Sequence, residues 1–453
     1  MRQERTPPVR AVRALLLLLA TVLVGYAISD HPFYGGEPGF GRMQLAIAML
    51  GALLAAAATL PDRLAEGMLL VAISSLITLA VAETAADALL GARHRPIYQA
   101  DDRLVFKFIP DRRSAMRRLP ANGGAEIAHR INRDGFRGDE LLPSGEAKRI
   151  VVYGDSFIHA SYSPDEETFA AALGVRLAQN TGSRFEVVNA GVSSYGPDQI
   201  SVKMEDELPR LRPDLVVVSI FAGNDYGDLL RNKLFQLADD GTLTTSVWRL
   251  DPKVRGKLEL SQRESLLLRA LRASFGGSRG GAPSTTMDWD FLLKEAEREY
   301  HSHVVDRDPL VTNTHVDYYS ADVSLTPHSN SARFKVALMQ AVLARIRDVA
   351  ARHGVPLAFL FIPHPHDVAR GTNWAPIDRN RFPDYDERNL IAPLEDGARA
   401  LGVPFVSLWN SFRTVDADSL YFRGGDDHWN ADGQRLAADL MAAQLLVQLR
   451  VTR

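Results

Sequence analysis

Three stretches near the N-terminus constrain this chain before anything else does. Ala14 to Ser29 (ALLLLLATVLVGYAIS), residues 43–60 (MQLAIAMLGALLAAAATL) and residues 67–82 (GMLLVAISSLITLAVA) carry no charged side chain. Each is close to the ~20 residues that a helix needs to cross a hydrocarbon core, once flanking residues such as Arg13 and Leu64 snorkel or extend it. One such run reads equally well as a signal peptide or a buried core helix, whereas three in succession predict membrane spans. Ala27-Ile28-Ser29 also fits a signal cleavage site, and cleavage there would leave the rest of the chain on the same side. Arg2, Arg5, Arg10 and Arg13 precede the first run, while the first loop has Arg42 alone against Asp30 and Glu37. The excess of arginine keeps the N-terminus cytoplasmic, and three crossings put everything after about residue 92 outside the cytoplasm. The expectation is a three-helix anchor over residues 1–95 in the inner membrane, with the bilayer as partner and a periplasmic domain behind it. Glu83 and Asp87, one turn apart at the end of the third run, read as a solvated helix end rather than a functional intramembrane carboxylate.

The chain has 453 residues, a net charge of −3 and no cysteine. The length calls for more than one region. The charge gives no electrostatic case for a nucleic-acid partner. Without cysteine there are no disulfides, thiolate metal sites or cysteine nucleophiles. Residues 96–145, with the strand-like LVFKFIP (104–110) and the turn-rich INRDGFRGDE (131–140), read as a small β-rich lead-in. From residue 146 onward strands and helices alternate. Residues 149–153, 185–191, 213–225, 356–363 and 403–409 are apolar and strand-like, while 198–211, 332–353 and 430–449 have helical periodicity. Ser163, Pro164 and Glu166 look like the N-cap, first position and capping box of a further helix. This alternation predicts an α/β doubly wound parallel sheet over 146–453, which binds ligands beyond the carboxyl ends of its strands. It stops between about 226 and 331, a long insertion suited to a lid or substrate wall that includes the flexible composition GGSRGGAPSTT (276–286).

Four segments fall where strands end: VVYGDSF (151–157), NAGVSSYG (189–196), AGNDY (222–226) and GGDDHWN (424–430). Each is ordinary turn or capping chemistry by itself. Together they supply what ester cleavage needs. Ser156 is the candidate nucleophile. His428 can take its proton and return it. Asp426 or Asp427 can hold the imidazole. The Asn224 amide can donate to an oxyanion, with backbone N–H groups of Ser156 and the 191–194 loop.

In these residues the chain resembles the SGNH (GDSL-type) hydrolase superfamily over roughly residues 125–450. Gly154-Asp155-Ser156 matches the first block, Asn224 within Ala222-Gly223-Asn224-Asp225 the third, and the segment around His428 the last. INRDGFRGDE is similar to the stretch preceding Gly-Asp-Ser in many membrane-attached members. The resemblance implies a flavodoxin-like sheet and a further oxyanion donor, the backbone N–H five residues after Asn189. That position is Ser194 rather than glycine, with Gly191 as fallback. Many members carry aspartate three residues before the histidine, where this chain has Gly425. Its Asp426-x-His428-Trp429 instead resembles the last block of alginate-type O-acetylation enzymes. The resemblance therefore favours Asp426 as the orienting carboxylate and leaves Asp427 a surface or capping residue. Trp429 is read either as a sugar-stacking ring or as packing under the last helix. The pairs His364/His366 and His301/His303 read as surface or substrate-contacting histidines rather than metal ligands, because no further ligand completes a set.

The expected protein is a membrane-anchored serine esterase with no metal or organic cofactor. It would cleave an O-acyl ester, in particular O-acetyl, on an acylated carbohydrate of the cell envelope or an exported glycan, through an acyl-enzyme at Ser156. The same residues serve an O-acyltransferase supplied by a membrane acyl-donor protein. A binding module on a degenerate fold is a third alternative, against which the intact Ser156, Asn224 and His428 count. The arginine bias makes a first prediction. A reporter fused after Arg453 should be active only if it works in the periplasm, and activity of a cytoplasm-only reporter there would overturn the topology.

Overall fold

The computed structural model describes residues 7–29, 42–94, 96–263, 265–267, 288–314, 320–370 and 377–451. The chain divides into two compact units, Met1–His94 with Pro252–Gly277, and Arg95–Asp251 with Ser278–Arg453.

In the first unit the three apolar runs form helices Pro7–Ala27, Arg42–Ala57 and Asp62–His94. Two segments, Val9–Ala27 and Asp62–Leu89, are long and apolar enough to cross a membrane, while Gln44–Ala57 is shorter. By length and composition, two of the three expected spans are thus candidates, and the second helix is shorter. A 16-residue helix rises only about 24 Å against a hydrocarbon core of about 30 Å. The first two helices cross closely at Gly51, where a Cβ would lie 2.8 Å from Val24 Cγ2 and 3.1 Å from the Ala20 carbonyl. Arg13 ties the base of the first helix to the turn before the third. It donates to the carbonyls of Ala58 and Leu60 and to Asp62 at 2.6, 2.8 and 2.7 Å. Glu83 accepts from Ser265 Oγ at 2.6 Å and from the Leu266 and Leu267 N–H groups at 2.8 and 3.2 Å. It therefore caps a segment of the insertion rather than ending a helix in solvent. Residues 276–286 lie outside the described residues.

In the second unit, Lys148–Tyr153 (β1), Phe185–Asn189 (β2), Leu215–Phe221 (β3), Leu357–Ile362 (β4) and Phe405–Ser407 (β5) form one sheet in the order β2-β1-β3-β4-β5. Every pairing in it is parallel. β3 and β4 are buried along their whole length, the pattern of strands covered on both faces. Ile150, Val152, Val217 and Leu360 face a cluster formed with helices Phe169–Thr181 and Ala431–Val451. The alternating partners Val151, Val216, Val218, Phe359 and Phe361 are buried on the other face.

The second unit corrects one helix start. Ser163 is not the N-cap. Residues Asp165–Glu167 are a single 3-10 turn, and the helix begins at Phe169 with Thr168 as cap, its Oγ1 accepting from Ala171 N–H. Ser163 Oγ instead accepts from Gln434 Nε2 at 2.6 Å, while Gln434 Oε1 accepts from the Phe169 N–H. A buried glutamine 271 positions away captures the hydroxyl.

The lead-in forms two antiparallel hairpins, Tyr98–Asp101 with Val105–Phe108 and Arg112–Arg117 with Glu126–Ile131. Tyr195 Oη and Gln199 Nε2 donate to the Phe106 and Leu104 carbonyls, both at 2.6 Å. Between Asp225 and Thr314 the described insertion holds a small hairpin, Phe235–Leu237 with Leu243–Thr245. It also holds a parallel pair, Arg249–Leu250 with Leu310–Val311, and helix Trp289–Tyr300. On its return the Ser320 N–H donates to the Gly223 carbonyl at 2.5 Å, so the insertion ends against the Gly-Asn-Asp turn.

The exits of β1 and β2 are packed backbone to backbone. A Cβ at Gly191 would lie 2.4 Å from His159 N and 2.7 Å from Ile158 C. Backbone cannot yield as a side-chain tip does, so Gly191→Ala should destabilise by about 1–3 kcal/mol. Gly174→Ala, whose Cβ meets only Val187 Cγ2 at 3.3 Å, should cost much less. Thermal unfolding of the two variants checks the difference.

Candidate active site

β1 ends at Tyr153, and the chain turns through Gly154 into the short helix Ser156–His159. A Cβ at Gly154 would lie 2.4 Å from Ile158 Cγ1 and 3.1 Å from Ser219 Cβ, so only glycine fits between the helix and β3. Asp155 caps the helix by accepting from the Phe157 N–H at 3.0 Å. Ser156 is left at the first turn of this helix, at the carboxyl edge of the sheet.

The last block reaches the same edge. Gly424 and Gly425 have φ of +85° and +79°, a left-handed backbone that disfavours a side chain. This is a local reason why the carboxylate stands at 426 and not at 425. Asp426 Oδ1 accepts from His428 Nδ1 at 2.8 Å and from the His428 backbone N–H at 3.0 Å. With Nδ1 bearing the proton, Nε2 is an acceptor, and the Ser156 hydroxyl lies 2.8 Å from it. The structure therefore brings Ser156, His428 and Asp426 into one relay. Asp427 is not a bystander, since its Oδ1 lies 3.3 Å from the same Nδ1.

Around the relay the environment is aromatic. His428 stacks on Phe157 at 5.1 Å, and Phe157 lies against Phe221 at 4.3 Å. Trp429 is buried, its Nε1 donating to the Phe157 carbonyl at 3.1 Å and its ring stacked on Phe169. Of the two readings of Trp429, packing is the one observed. Ser156, Ala160, Tyr162, Phe422, His428 and Trp429 line a small hollow beside the nucleophile. The lead-in braces its rim. Asn122 exchanges hydrogen bonds with the Arg423 backbone at 2.9 and 2.7 Å, and Arg118 donates to the Tyr162 carbonyl at 2.6 Å.

Ser194, one of the three expected oxyanion donors, has φ +63°. The chain keeps the left-handed turn that glycine favours while carrying a serine. Gly191, the fallback, has its N–H engaged by Asn189 Oδ1 at 3.1 Å, which removes it as a donor. Asn224 precedes helix Asp225–Asn232, is buried, and caps nothing with its side chain. Among the described residues nothing hydrogen-bonds its buried Oδ1, and unpaired buried amides are rare outside functional sites.

The neighbouring histidines divide by charge. Burial opposes protonation of His428, but the hydrogen bond it donates to Asp426 and the charges of Asp427, Asp426 and Asp155 outweigh it and raise its pKa to about 10. His159, on the same short helix, is buried and held well below its ordinary value by burial and then by Arg137. Its Nδ1 lies 2.6 Å from Ser193 Oγ. His364 is buried at the end of β4, stacked on His366 at 5.0 Å, and kept neutral by burial. His303 is buried against Phe334, whereas His301 pairs with Glu297 on the surface. Among the described residues, neither His-x-His pair belongs to a close group of three His, Asp or Glu side chains. Among the described residues, Asp426, Asp427 and His428 are the only close group of three such side chains, and they are already bonded to one another.

Two contributors escaped the sequence reading. Arg137, in the INRDGFRGDE turn, is buried beneath the nucleophile helix and donates to the carbonyls of His159, Ala160 and Ser163. Arg231 donates to the Ser194 carbonyl at 2.8 Å. Neither stands in a motif whose chemistry requires an arginine, so spacing alone gave no signal.

A five-stranded parallel sheet with a serine, a histidine and an aspartate assembled at its carboxyl edge is the arrangement that the resemblance to SGNH hydrolases implies. Residues 318–452 match the family model described as "SGNH hydrolase-like domain, acetyltransferase AlgX", and this bears out the resemblance to the superfamily. Asp426 and His428 lie inside the matched segment, whereas Ser156, Ser194 and Asn224 precede it. Solved structures similar to this chain include TesA, at 14% identity, covering 66% of this chain and 98% of its own, with a TM-score of 0.34. The esterase EstA from Pseudoalteromonas sp. has 12% identity, covers 67% and 99%, and has a TM-score of 0.34. The acetyl xylan esterase AlAXEase has 13% identity, covers 65% and 98%, and has a TM-score of 0.31. A search of curated proteins found no match.

The paired carboxylates predict a pH signature. Neutral imidazole is the base, so kcat/KM should climb with pH along a limb set by His428, above the ordinary histidine value of about 6.5. Asp427→Asn removes a charge that stabilises the imidazolium and should move this limb to lower pH, with activity retained. Asp426→Asn loses the correct tautomer and should cut turnover far more, by up to about 10⁴. A pH–rate profile of each variant on one activated ester decides; an unmoved limb in Asp427→Asn would remove that carboxylate from the site.

Proposed function

We propose that this chain is a serine enzyme acting on acyl esters, held at the membrane with its catalytic domain outside the cytoplasm. The observation that carries this reading is the continuous relay from Asp426 through His428 to Ser156, at 2.8 Å for each link. Ser156 Oγ attacks the acyl carbon while His428 Nε2 takes its proton. The carbonyl electrons move onto oxygen, where the Ser156 and Ser194 N–H groups and the Asn224 amide receive the charge. Collapse of this intermediate breaks the bond to the alcohol oxygen, which leaves with the proton from His428. The acyl group now rests on Ser156. Water, or a hydroxyl of an acceptor, then gives its proton to His428, attacks the acyl carbon and releases Ser156.

The substrate class proposed is an O-acyl group, O-acetyl in particular, on an envelope or exported glycan. The description of the matched family supports an acetyl group. The word acetyltransferase in that description favours a second reading, transfer in place of hydrolysis, for which we propose a glycan hydroxyl as acceptor and a separate membrane protein as acyl donor. The anchor supports a membrane location. Leu18, Leu53 and Leu70 on its three helices are 58%, 60% and 68% exposed, as lipid-facing side chains would be, and the Arg13–Asp62 ion pair joins two ends that the proposed topology assigns to the cytoplasmic side.

The full-length chain, purified in detergent, should give a burst of alcohol product with p-nitrophenyl acetate and an acetyl adduct on Ser156 by mass spectrometry. Ser156→Ala should abolish both. Asn224→Ala should lower kcat by roughly 10²–10³ with little change in KM. An added glycan acceptor that accelerates turnover and becomes acetylated would mark a transferase. A folded wild-type chain that never acylates Ser156 would sink the enzyme reading.

A further inference from the structure

The Gly-to-Ser departure at position 194 raises a physical problem. An L-residue at φ +63° is strained, because its Cβ crowds the backbone, and such a conformation persists only when the surroundings over-determine it. The loop is fixed from several directions. Ser193 Oγ lies 2.6 Å from His159 Nδ1, which joins it to the end of the nucleophile helix. Gly196 N–H donates to Gln199 Oε1 at 3.0 Å, and the same oxygen accepts from Asn232 Nδ2 at 2.7 Å. Between these anchors Arg231 Nη2 donates to the Ser194 carbonyl at 2.8 Å. The Arg231 side chain is only 3% exposed and pairs with Asp228 Oδ1 at 2.9 Å.

Arg231 and Asn232 are the last residues of the helix that Asn224 precedes. Ser194 and Asn224, two of the three expected oxyanion donors and 30 positions apart in sequence, are thus parts of one hydrogen-bonded body. The Asn224 amide stands at the start of the helix, and the helix end holds the peptide of Ser194. Resting on the reading of Ser194 as an oxyanion donor, we propose that Arg231 is a positioning residue for acyl transfer. Its guanidinium fixes the Ser194 carbonyl and so aims the N–H in register with Asn224, doing for serine what glycine's free backbone does elsewhere. A guanidinium suits this task because its fork can serve a carboxylate and a carbonyl at once, which a single ammonium serves poorly.

The test is the rate of Ser156 acetylation by p-nitrophenyl acetate in the full-length chain. Arg231→Lys keeps a positive charge beside Asp228 and surrenders the fork. It should slow acylation by roughly 10²-fold, the scale of a small misplacement, with KM held within about threefold. The rate of Ser194→Gly alone is the reference for the double variant. In the Arg231→Lys background Ser194→Gly should recover most of the lost rate, because glycine takes the left-handed turn unaided. A purely structural role would lower Tm and leave nothing for Ser194→Gly to rescue. If Arg231→Lys does not fold, the pair Arg231→Met with Asp228→Asn removes both charges together and should show the same loss and the same rescue. An unchanged acylation rate in a folded Arg231 variant, or no recovery on Ser194→Gly, overturns the proposal. A wild-type chain without an adduct on Ser156 would instead remove the enzyme reading on which it rests.

Discussion

The hydrogen bond from Ser156 to His428 joins positions 272 apart in sequence, and almost every other feature of the site follows from the need to make it. Parallel strands put all their carboxyl ends on one edge, so the exit of β1 and the approach to the last helix meet there. Close packing then sets the distance. Gly154 lets the nucleophile helix lie against β3, and Trp429 fills the space beneath Phe157 with its indole N–H spent on the Phe157 carbonyl. A buried tryptophan of this kind contributes about 3–5 kcal/mol against truncation, and here it also holds the residue next to the base.

Charge around the relay is arranged for one purpose. Asp426 and Asp427 both approach Nδ1, and together they favour the protonated form of His428. His159 and His364 sit in buried surroundings that keep them neutral. Of these three rings, only His428 is held toward its protonated form. The cost of concentrating negative charge is a base that is harder to deprotonate, which ties activity to pH.

The oxyanion side shows how a family pattern survives the loss of its usual residue. The resemblance implies glycine at this position, and glycine takes a left-handed turn without strain. This chain keeps the turn and replaces backbone freedom with tertiary restraint from His159 on one side and Arg231 on the other. The nucleophile helix, the oxyanion loop and the Asn224 helix are consequently linked through hydrogen bonds rather than merely adjacent.

The sequence by itself determined the α/β alternation, because strands buried on both faces must be continuously apolar and their covering helices must repeat near 3.6 residues. It also determined the candidates Ser156, Asn224, Asp426 and His428, since only a few residue types can do this chemistry and each stood just after a strand or just before the last helix. It did not determine the helix start at Phe169, where a distant Gln434 took the hydroxyl of Ser163 from its local capping role. It assigned Asp427 to the surface and left Trp429 between two roles, because one-residue differences in side-chain direction are set by the turn through Gly424 and Gly425. The length of the second N-terminal helix, the occupied N–H of Gly191 and the clamp by Arg231 were likewise decided only in three dimensions. Periodicity reports which face a residue buries, and residue type reports what it can do; which atom it meets depends on contacts between segments tens to hundreds of positions apart.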